Sequence, residues 1–91
     1  MKNSDKPNHV FFTVVVNGTP VGIEANVNAP LKTIIPEALH ESSNQGQPPE
    51  NWELKDKDGS PLDPNRKIEE FEFTSDTTLF LSLKAGIGGS E

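Results

Sequence analysis

The chain contains no cysteine, which excludes disulfide bonds, a thiol nucleophile and thiolate metal ligands. Such a composition fits a reducing compartment, and we expect the protein to be cytoplasmic. Long apolar runs are also missing, since none approaches the roughly 18 residues of a membrane-spanning helix. The first residues lack the basic and apolar pattern of a leader. We therefore expect neither a membrane association nor a secretory signal.

Positive charge is scarce. Eight Lys and Arg residues against 14 Asp and Glu give a formal net charge of −6. A protein that binds nucleic acid needs a basic face to displace counterions, so this balance argues against nucleic acid as a partner. Apolar residues are only 32% of the 91, but they are clustered. This favours one compact domain with polar ends, and we expect a monomer when the protein is free.

The first structured segment has the pattern of a β-hairpin. Val10 to Val16 is rich in Val, Phe and Thr, and Val21 to Val27 alternates apolar with polar residues. Asn17-Gly18 between them is a strong turn signal, because both positions tolerate positive φ. One face of the first strand holds Val10, Phe12, Val14 and Val16, and the other holds Phe11, Thr13 and Val15.

One helix is predicted next. Asn28-Ala29-Pro30 resembles a helix start with Asn28 as N-cap, and the apolar residues that follow have helical spacing: Leu31, Ile34, Ile35, Ala38 and Leu39. Pro36 conflicts with this, because proline inside a helix costs about 3 kcal/mol. Either the helix is kinked at Pro36, or it begins later with Thr33 as cap and Pro36 in its first turn. Asn44 or Gly46 is the expected left-handed residue after the helix.

The remaining elements are short strands and turns. We predict a strand at Trp52 to Lys55 with Trp52 and Leu54 inward, a turn at residues 56–59, a short strand at Pro61-Leu62 and a last strand at Leu79 to Leu83. Ile68, Phe71 and Phe73 are apolar anchors in between. The order is β-β-α-β-β-β, an α+β arrangement. Residues 1–9 are predicted to be a flexible arm, 10–84 the domain and 85–91 a flexible tail.

The tail is rich in glycine. Ala85-Gly86-Ile87-Gly88-Gly89 has three glycines in five residues, too many for a helix or strand, and Ser90-Glu91 follows. A frayed terminus or an expression remnant has the same composition. The alternative is a tail that enters the active site of another protein, since two residues without side chains fit a narrow channel.

The chain resembles ubiquitin and its relatives, which have the β-grasp fold. The resemblance covers roughly Val10 to Gly89. It rests on the order of elements, on Gly46-Gln47-Pro48-Pro49-Glu50 after the helix and on the last strand leading to Gly88-Gly89. It implies a mixed sheet packed on the helix. The sequence of residues 27–33 is most similar to that of ubiquitin-like proteins from bacterial operons. These operons also encode activating, conjugating and deubiquitinase-like enzymes and are linked to phage defence.

The resemblance implies a protein modifier with no catalytic residues or cofactor of its own. A deubiquitinase-like protease would cut between Gly89 and Ser90. An activating enzyme would then adenylate the Gly89 carboxylate with ATP, and a conjugating enzyme would pass the acyl group to target proteins. Gly88 and Gly89 would allow a thin backbone to reach these enzymes, and Lys84, Ala85, Gly86 and Ile87 would contact the activating enzyme and the protease.

Two departures from ubiquitin stand out. Ubiquitin has arginines in its tail where this chain has residues 84–87, so we expect a different activating enzyme. The exposed apolar patch of ubiquitin falls on Lys55 and Ser82, so receptors of that patch are not expected to bind. Phe11 and Phe80 could form a substitute surface. Since an aromatic residue beside a strand is more often part of the core, core placement is our leading interpretation of both.

Other functions receive less support. A sulfur carrier with a thiocarboxylate at Gly89 would share the fold, but such carriers usually end at the second glycine. A noncovalent ubiquitin-like adaptor would not use the tail. His9 and His40 lack catalytic partners, and Asp56, Asp58 and Asp63 lack the remaining ligands of a calcium loop, so we expect surface residues and turn carboxylates. An enzyme is not expected.

Overall fold

The structure is a computed structural model that describes residues 8–44 and 46–84. Its strands are β1 (His9–Val16), β2 (Thr19–Asn26), β3 (Trp52–Lys55) and β4 (Thr78–Leu83), and its α-helix is α1 (Ile34–Glu41). Short 3-10 helices lie at Leu31–Thr33, Pro49–Asn51 and Ile68–Phe71. The tail at 85–91 and residues 1–7 of the arm lie outside the described residues. His9, predicted to end the arm, is the first residue of β1.

The sheet is mixed, and its strand order is β2-β1-β4-β3. β1 is antiparallel to β2 and parallel to β4, and β3 is antiparallel to β4. This confirms the predicted α+β arrangement with a leading hairpin and one helix. The short strand predicted at Pro61-Leu62 is wrong, because Pro61 forms only an isolated bridge with Lys55. Proline has no N–H to donate, so the contact with β3 depends on the Leu62 N–H, which donates to the Leu54 carbonyl at 2.9 Å.

The hairpin turn is the predicted Asn17-Gly18, and both residues have positive φ, 50° and 85°. The two-residue turn pairs Thr19 with Val16 and Pro20 with Val15. β2 therefore begins two residues before the predicted Val21. Proline is tolerated there because it is near the start of an edge strand, where its missing N–H leaves no ladder bond unmade.

Replacing Gly18 with alanine is expected to lower the free energy of unfolding by about 1 kcal/mol, since a Cβ is strained at φ 85°. Gly46 is the matched control, because it does not have positive φ and a Cβ there would meet no atom within 4 Å. Gly46→Ala is expected to leave stability unchanged or slightly raised. Urea denaturation of both variants checks this, and equal effects would contradict the turn geometry.

The helix follows the second of the two alternatives. A 3-10 turn at Leu31–Thr33 precedes α1, and Pro36 is the third residue of the α-helix. The N–H groups of the first helical turn have no partner within the helix, so proline costs no hydrogen bond there. Thr33 occupies the cap position, but its hydroxyl donates to the Pro30 carbonyl at 2.7 Å and caps no helix N–H.

The residue that ends the helix was predicted wrongly, since Ser43 and neither Asn44 nor Gly46 has the left-handed conformation (φ 62°). The Ser43 N–H donates to the His40 carbonyl and the Asn44 N–H to the Leu39 carbonyl, which is a Schellman ending. The Asn44 side chain donates to the backbone carbonyl and the hydroxyl of Ser42 at 3.1 and 3.0 Å. These bonds hold a serine where glycine is more usual.

The core lies between α1 and one face of the sheet. The helix buries Ile34, Ile35, Ala38 and Leu39 against inward residues of the strands: Phe12, Val14, Val16, Ile23, Trp52, Leu54, Leu79 and Leu81. Burial of each large side chain contributes about 1.5–3 kcal/mol. The predicted anchors also take part. Ile68 is buried, and Phe73 contacts Phe12 edge-on with ring centroids 5.0 Å apart and stacks on Phe71 at 5.1 Å.

Candidate functional site

The described chain ends in an exposed lysine at the end of a central strand. β4 lies between β1 and β3, so it is hydrogen-bonded on both sides. Beyond it, the Lys84 N–H donates to the Asn51 carbonyl at 2.8 Å. The position from which the tail leaves the domain is therefore fixed by the sheet. The other predicted site residues lie outside the described residues: Ala85, Gly86, Ile87, Gly88, Gly89 and Ser90.

The sheet face opposite α1 carries two exposed phenylalanines. Phe11 is 57% exposed and Phe80 is 40% exposed. Val15 is the register partner of Phe80, so these two side chains lie on adjacent strands of this face. Core placement of Phe11 and Phe80 was the leading interpretation from the sequence, and it is wrong for both. The substitute surface is the alternative that the structure supports, and we call Phe11, Val15 and Phe80 the aromatic face.

Sequence reasoning missed the contact that supports Phe11. A Cβ at Gly22 would lie 2.7 Å from the Phe11 ring, so the ring packs directly over the glycine backbone. Gly22 pairs with Thr13, which makes it the diagonal neighbour of Phe11 on the next strand. The signal was present in the sequence, because a glycine at an outward position of a strand leaves room for a neighbouring ring. The ring is supported below and open to solvent above.

The aromatic face is bordered by polar residues at the two positions onto which the sequence resemblance maps the apolar patch of ubiquitin. Lys55 pairs with Phe80, and Ser82 pairs with Glu53. The Lys55 Nζ lies 3.5 Å from the Glu53 Oε2 in a partly exposed ion pair. Exposed pairs of this kind contribute about 0–1 kcal/mol. The larger contribution to any binding at this face would come from the exposed aromatic rings.

The remaining candidates are surface residues, as predicted. His9 and His40 are exposed. The Asp56 Oδ1 accepts the N–H groups of Asp58 and Ser60 at 2.9 and 3.0 Å, so this carboxylate stabilises the predicted turn. Within residues 8–44 and 46–84, no group of three or more acidic or histidine side chains is placed to hold a metal ion. The same residues include no helix long and apolar enough to cross a membrane.

Residues 5–89 match the family described as "Protein of Unknown function (DUF2604)". The chain belongs to this family. It is also 49% identical over 84 residues to the uncharacterized protein y4jI of Sinorhizobium fredii (strain NBRC 101917 / NGR234). That alignment covers 92% of this chain and 65% of y4jI, so the DUF2604 chain spans somewhat less than two thirds of this relative.

Solved structures with a similar fold are ubiquitin-like. A de novo design based on ubiquitin superposes with a TM-score of 0.72 at 19% identity, covering 92% of this chain and 99% of the design. Ubiquitin of Caldiarchaeum subterraneum gives 0.68 at 20%, covering 89% and 99%. A chain described as "Molecular Mimicry of SUMO promotes DNA repair" gives 0.68 at 16%, covering 84% and 92%. The DUF2604 chain therefore has the ubiquitin-like β-grasp fold.

Proposed function

We propose that this chain is a ubiquitin-like protein modifier that is cleaved after Gly89 and joined to target proteins through that residue. The observation that carries the proposal is the exit of the central strand β4 at exposed Lys84, five residues before Gly89. Five extended residues span up to about 17 Å, enough for Gly89 to enter a partner's active site while the domain stays outside. The family match also extends to Gly89 and stops before Ser90.

The proposed chemistry needs only a deliverable carboxylate. A deubiquitinase-like protease hydrolyses the bond between Gly89 and Ser90. The freed carboxylate attacks the α-phosphate of ATP on an activating enzyme, and pyrophosphate leaves. An enzyme thiol, or a hydroxyl in the oxyester variant, displaces AMP, and the acyl group passes by a conjugating enzyme to an amine or hydroxyl of the target. Adenylation replaces a poor leaving group with a good one, the later transfers run downhill to the more stable bond with the target, and the partners supply every catalytic group.

The tail residues have separate roles in this proposal. Gly88 and Gly89 leave the backbone thin at the reacting carbonyl, since any side chain there would fill a narrow cleft. Lys84, Ala85, Gly86 and Ile87 contact the activating enzyme and the protease and set their specificity. ATP is consumed by the activating enzyme, so the modifier itself needs no cofactor.

The aromatic face is the proposed docking surface for the partner enzymes. Aromatic residues, phenylalanine among them, are enriched in protein interfaces, and Phe11 and Phe80 lie on the sheet from which the tail leaves. A partner bound to this face would lie next to the start of the tail at Lys84. The bacterial pathway, the role in phage defence and the cytoplasmic location stay predictions from the family resemblance.

Phe80→Ser is expected to weaken partner binding at least about tenfold, because truncating a central aromatic contact typically costs more than 1 kcal/mol. Its effect on the free energy of unfolding is expected to be about 1–2 kcal/mol, less than that of a core truncation, since the side chain is 40% exposed. Binding to partners captured from a host lysate and thermal unfolding check the two halves. Thr19→Ser, an exposed change in the same sheet, is the control, and equal binding by both variants would remove this face from the proposal.

The entry chemistry is tested by intact mass. The full chain is incubated with a lysate of the native host, first without and then with ATP. We expect loss of the mass of Ser90-Glu91 in the first step and an ATP-dependent covalent adduct with a larger protein in the second. A chain that stays uncut and forms no adduct in an active lysate would contradict the modifier proposal.

A noncovalent adaptor is the second candidate, and the exposure of Phe11 and Phe80 is the observation in its favour. The two functions separate cleanly by mutation. For a modifier, Gly89→Arg removes activity while the domain still binds its partners. For an adaptor, Phe80→Ser removes activity and Gly89→Arg leaves it intact. A sulfur carrier is distinguished by a Gly89 thiocarboxylate in protein isolated from cells.

A further inference from the structure

A groove of about 590 Å³ lies beside the edge strand β3, away from the aromatic face. Its walls come from the helix start, from the 3-10 turn Pro49–Asn51, from β3 and from the segment 61–64. The volume is within the range of sites that bind ligands. Most of the lining is apolar, and the side chains that matter below are Ile35, Trp52, Leu54 and Leu62. Neither the predicted tail chemistry nor the aromatic face accounts for this groove.

The groove wall contains a buried hydrogen-bond donor without an acceptor. Trp52 is 4% exposed, and its indole Nε1 has no hydrogen-bond partner among the described residues. A buried polar group without a partner costs about 1–3 kcal/mol, and most buried polar groups in proteins are therefore paired. Trp52 lines the groove, but its Nε1 is closed to solvent, so an acceptor in the groove reaches it only if the lining shifts.

The edge of β3 offers a second pair of unused groups. The Lys84 N–H bonds to the Asn51 carbonyl, so the antiparallel register turns the Trp52 carbonyl and the Leu54 N–H away from β4. The neighbouring Leu54 carbonyl is taken by Leu62, and the Trp52 N–H by Pro49. Neither of the two remaining groups has a backbone partner in residues 8–44 and 46–84. Both belong to residues that line the groove, and one residue of an extended peptide can bond to both.

Charge at the rim favours an acidic residue at one end. Lys84 shares the groove lining with Glu50 and Glu53, and Glu53 forms an ion pair with Lys55. Lys32 lies at the end where the helix start meets the segment 61–64, since its N–H donates to the Pro64 carbonyl at 2.9 Å. The groove lining adds no acidic residue at that end, so the Lys32 ammonium gives it a positive charge.

We propose that this groove binds an extended, apolar segment of a partner polypeptide, which adds to the edge of β3 and places an acidic residue at Lys32. The backbone pair on β3 selects polypeptide over other apolar ligands, because only a peptide unit offers a donor and an acceptor at strand spacing. This site is independent of Gly89 and of the modifier chemistry.

The test uses Trp52 itself, which is the single tryptophan of the chain, so its fluorescence reports on the groove. The probe is a terminally blocked hexapeptide, Asp-Val-Ile-Val-Ile-Asp, acidic at both ends so that either strand direction is allowed. Titration into the full chain is expected to give a saturable change in Trp52 emission. Lys32→Glu is expected to weaken binding about tenfold, and Lys57→Glu, an exposed lysine outside the groove, is expected to leave it unchanged.

Two further probes separate the occupants. The same peptide N-methylated at alternate residues keeps its apolar side chains but cannot pair with β3, and we expect its binding to be lost. If the methylated peptide bound as tightly as the parent peptide, the groove would bind any apolar ligand without pairing to β3, which would overturn the proposal. So would the absence of binding by the parent peptide. If Ile87→Asp tightened peptide binding, the chain's own tail would be competing with the peptide for the groove. The tail would then be the natural occupant, which would overturn the assignment to a partner segment.

Discussion

Replacing Gly89 with arginine is expected to abolish the ATP-dependent covalent adduct, lowering its yield at least about a hundredfold. The reason is geometric, because displacing a reacting carbonyl by even 1 Å can cost about that factor. A Cβ and a guanidinium beside the carbonyl would prevent its approach to the nucleotide. The free energy of unfolding is expected to stay unchanged, since the core residues lie between Phe12 and Leu81. Intact mass after incubation with host lysate and ATP measures the yield.

The matched control places the same side chain one residue later. Ser90 leaves with the cleaved dipeptide in our proposal, so Ser90→Arg is expected to yield a normal mature chain and normal adducts once it is cut. Supplying Gly89→Arg and the unchanged sequence as chains that end at residue 89 removes any effect on cleavage. Normal adducts from Gly89→Arg would show that the second glycine is not the reacting residue.

Leu81→Ala is expected to lower the free energy of unfolding by about 3 kcal/mol, which is a large part of the stability of a small domain. Leu81 is buried in the middle of the sheet, with Val16 and Leu54 as its register partners on the two neighbouring strands. Truncation therefore leaves a cavity that neither neighbour can fill. Urea denaturation followed by Trp52 fluorescence measures the change, with the slope of the transition expected to stay constant.

Ser82→Ala is the control for this prediction, since Ser82 is the next residue of the same strand and lies on the opposite face. We expect a change of less than about 0.5 kcal/mol. If Leu81→Ala cost as little as Ser82→Ala, the two faces of β4 would be reversed, and the placement of Phe80 on the aromatic face would also be wrong.

Local patterns in the sequence predicted the elements where one physical requirement dominated. Asn17-Gly18 fixed the hairpin, because few residue pairs tolerate two successive positive φ angles. The alternation around Trp52 and Leu54 predicted which side chains of β3 are buried. The predicted start of β2 was less accurate, because proline is rare in strands. The tight turn nevertheless places Thr19 and Pro20 in β2, paired with β1.

Features that depend on distant segments could not be predicted. Ser43 replaces glycine at the end of α1 because Asn44 bonds back to Ser42, and Asn44 also accepts from Asn17 of the hairpin turn at 3.2 Å. Period-2 alternation separated Phe11 from Phe12, but only the position of the helix determined which of the two is exposed. The groove beside β3 joins four separate segments, so no local pattern contains it.

The central claim, a covalent bond through Gly89, is tested most directly by tryptic digestion of host proteins. Trypsin cuts after Lys84, so each target would keep Ala-Gly-Ile-Gly-Gly, residues 85–89, on the modified side chain. We predict this remnant on lysine amines, or on hydroxyls if the linkage is an ester, in cells that express the chain. In cells that express Gly89→Arg we predict neither this remnant nor its counterpart that ends in arginine. Its absence from every target, with the chain recovered only as a free protein, would contradict the modifier account.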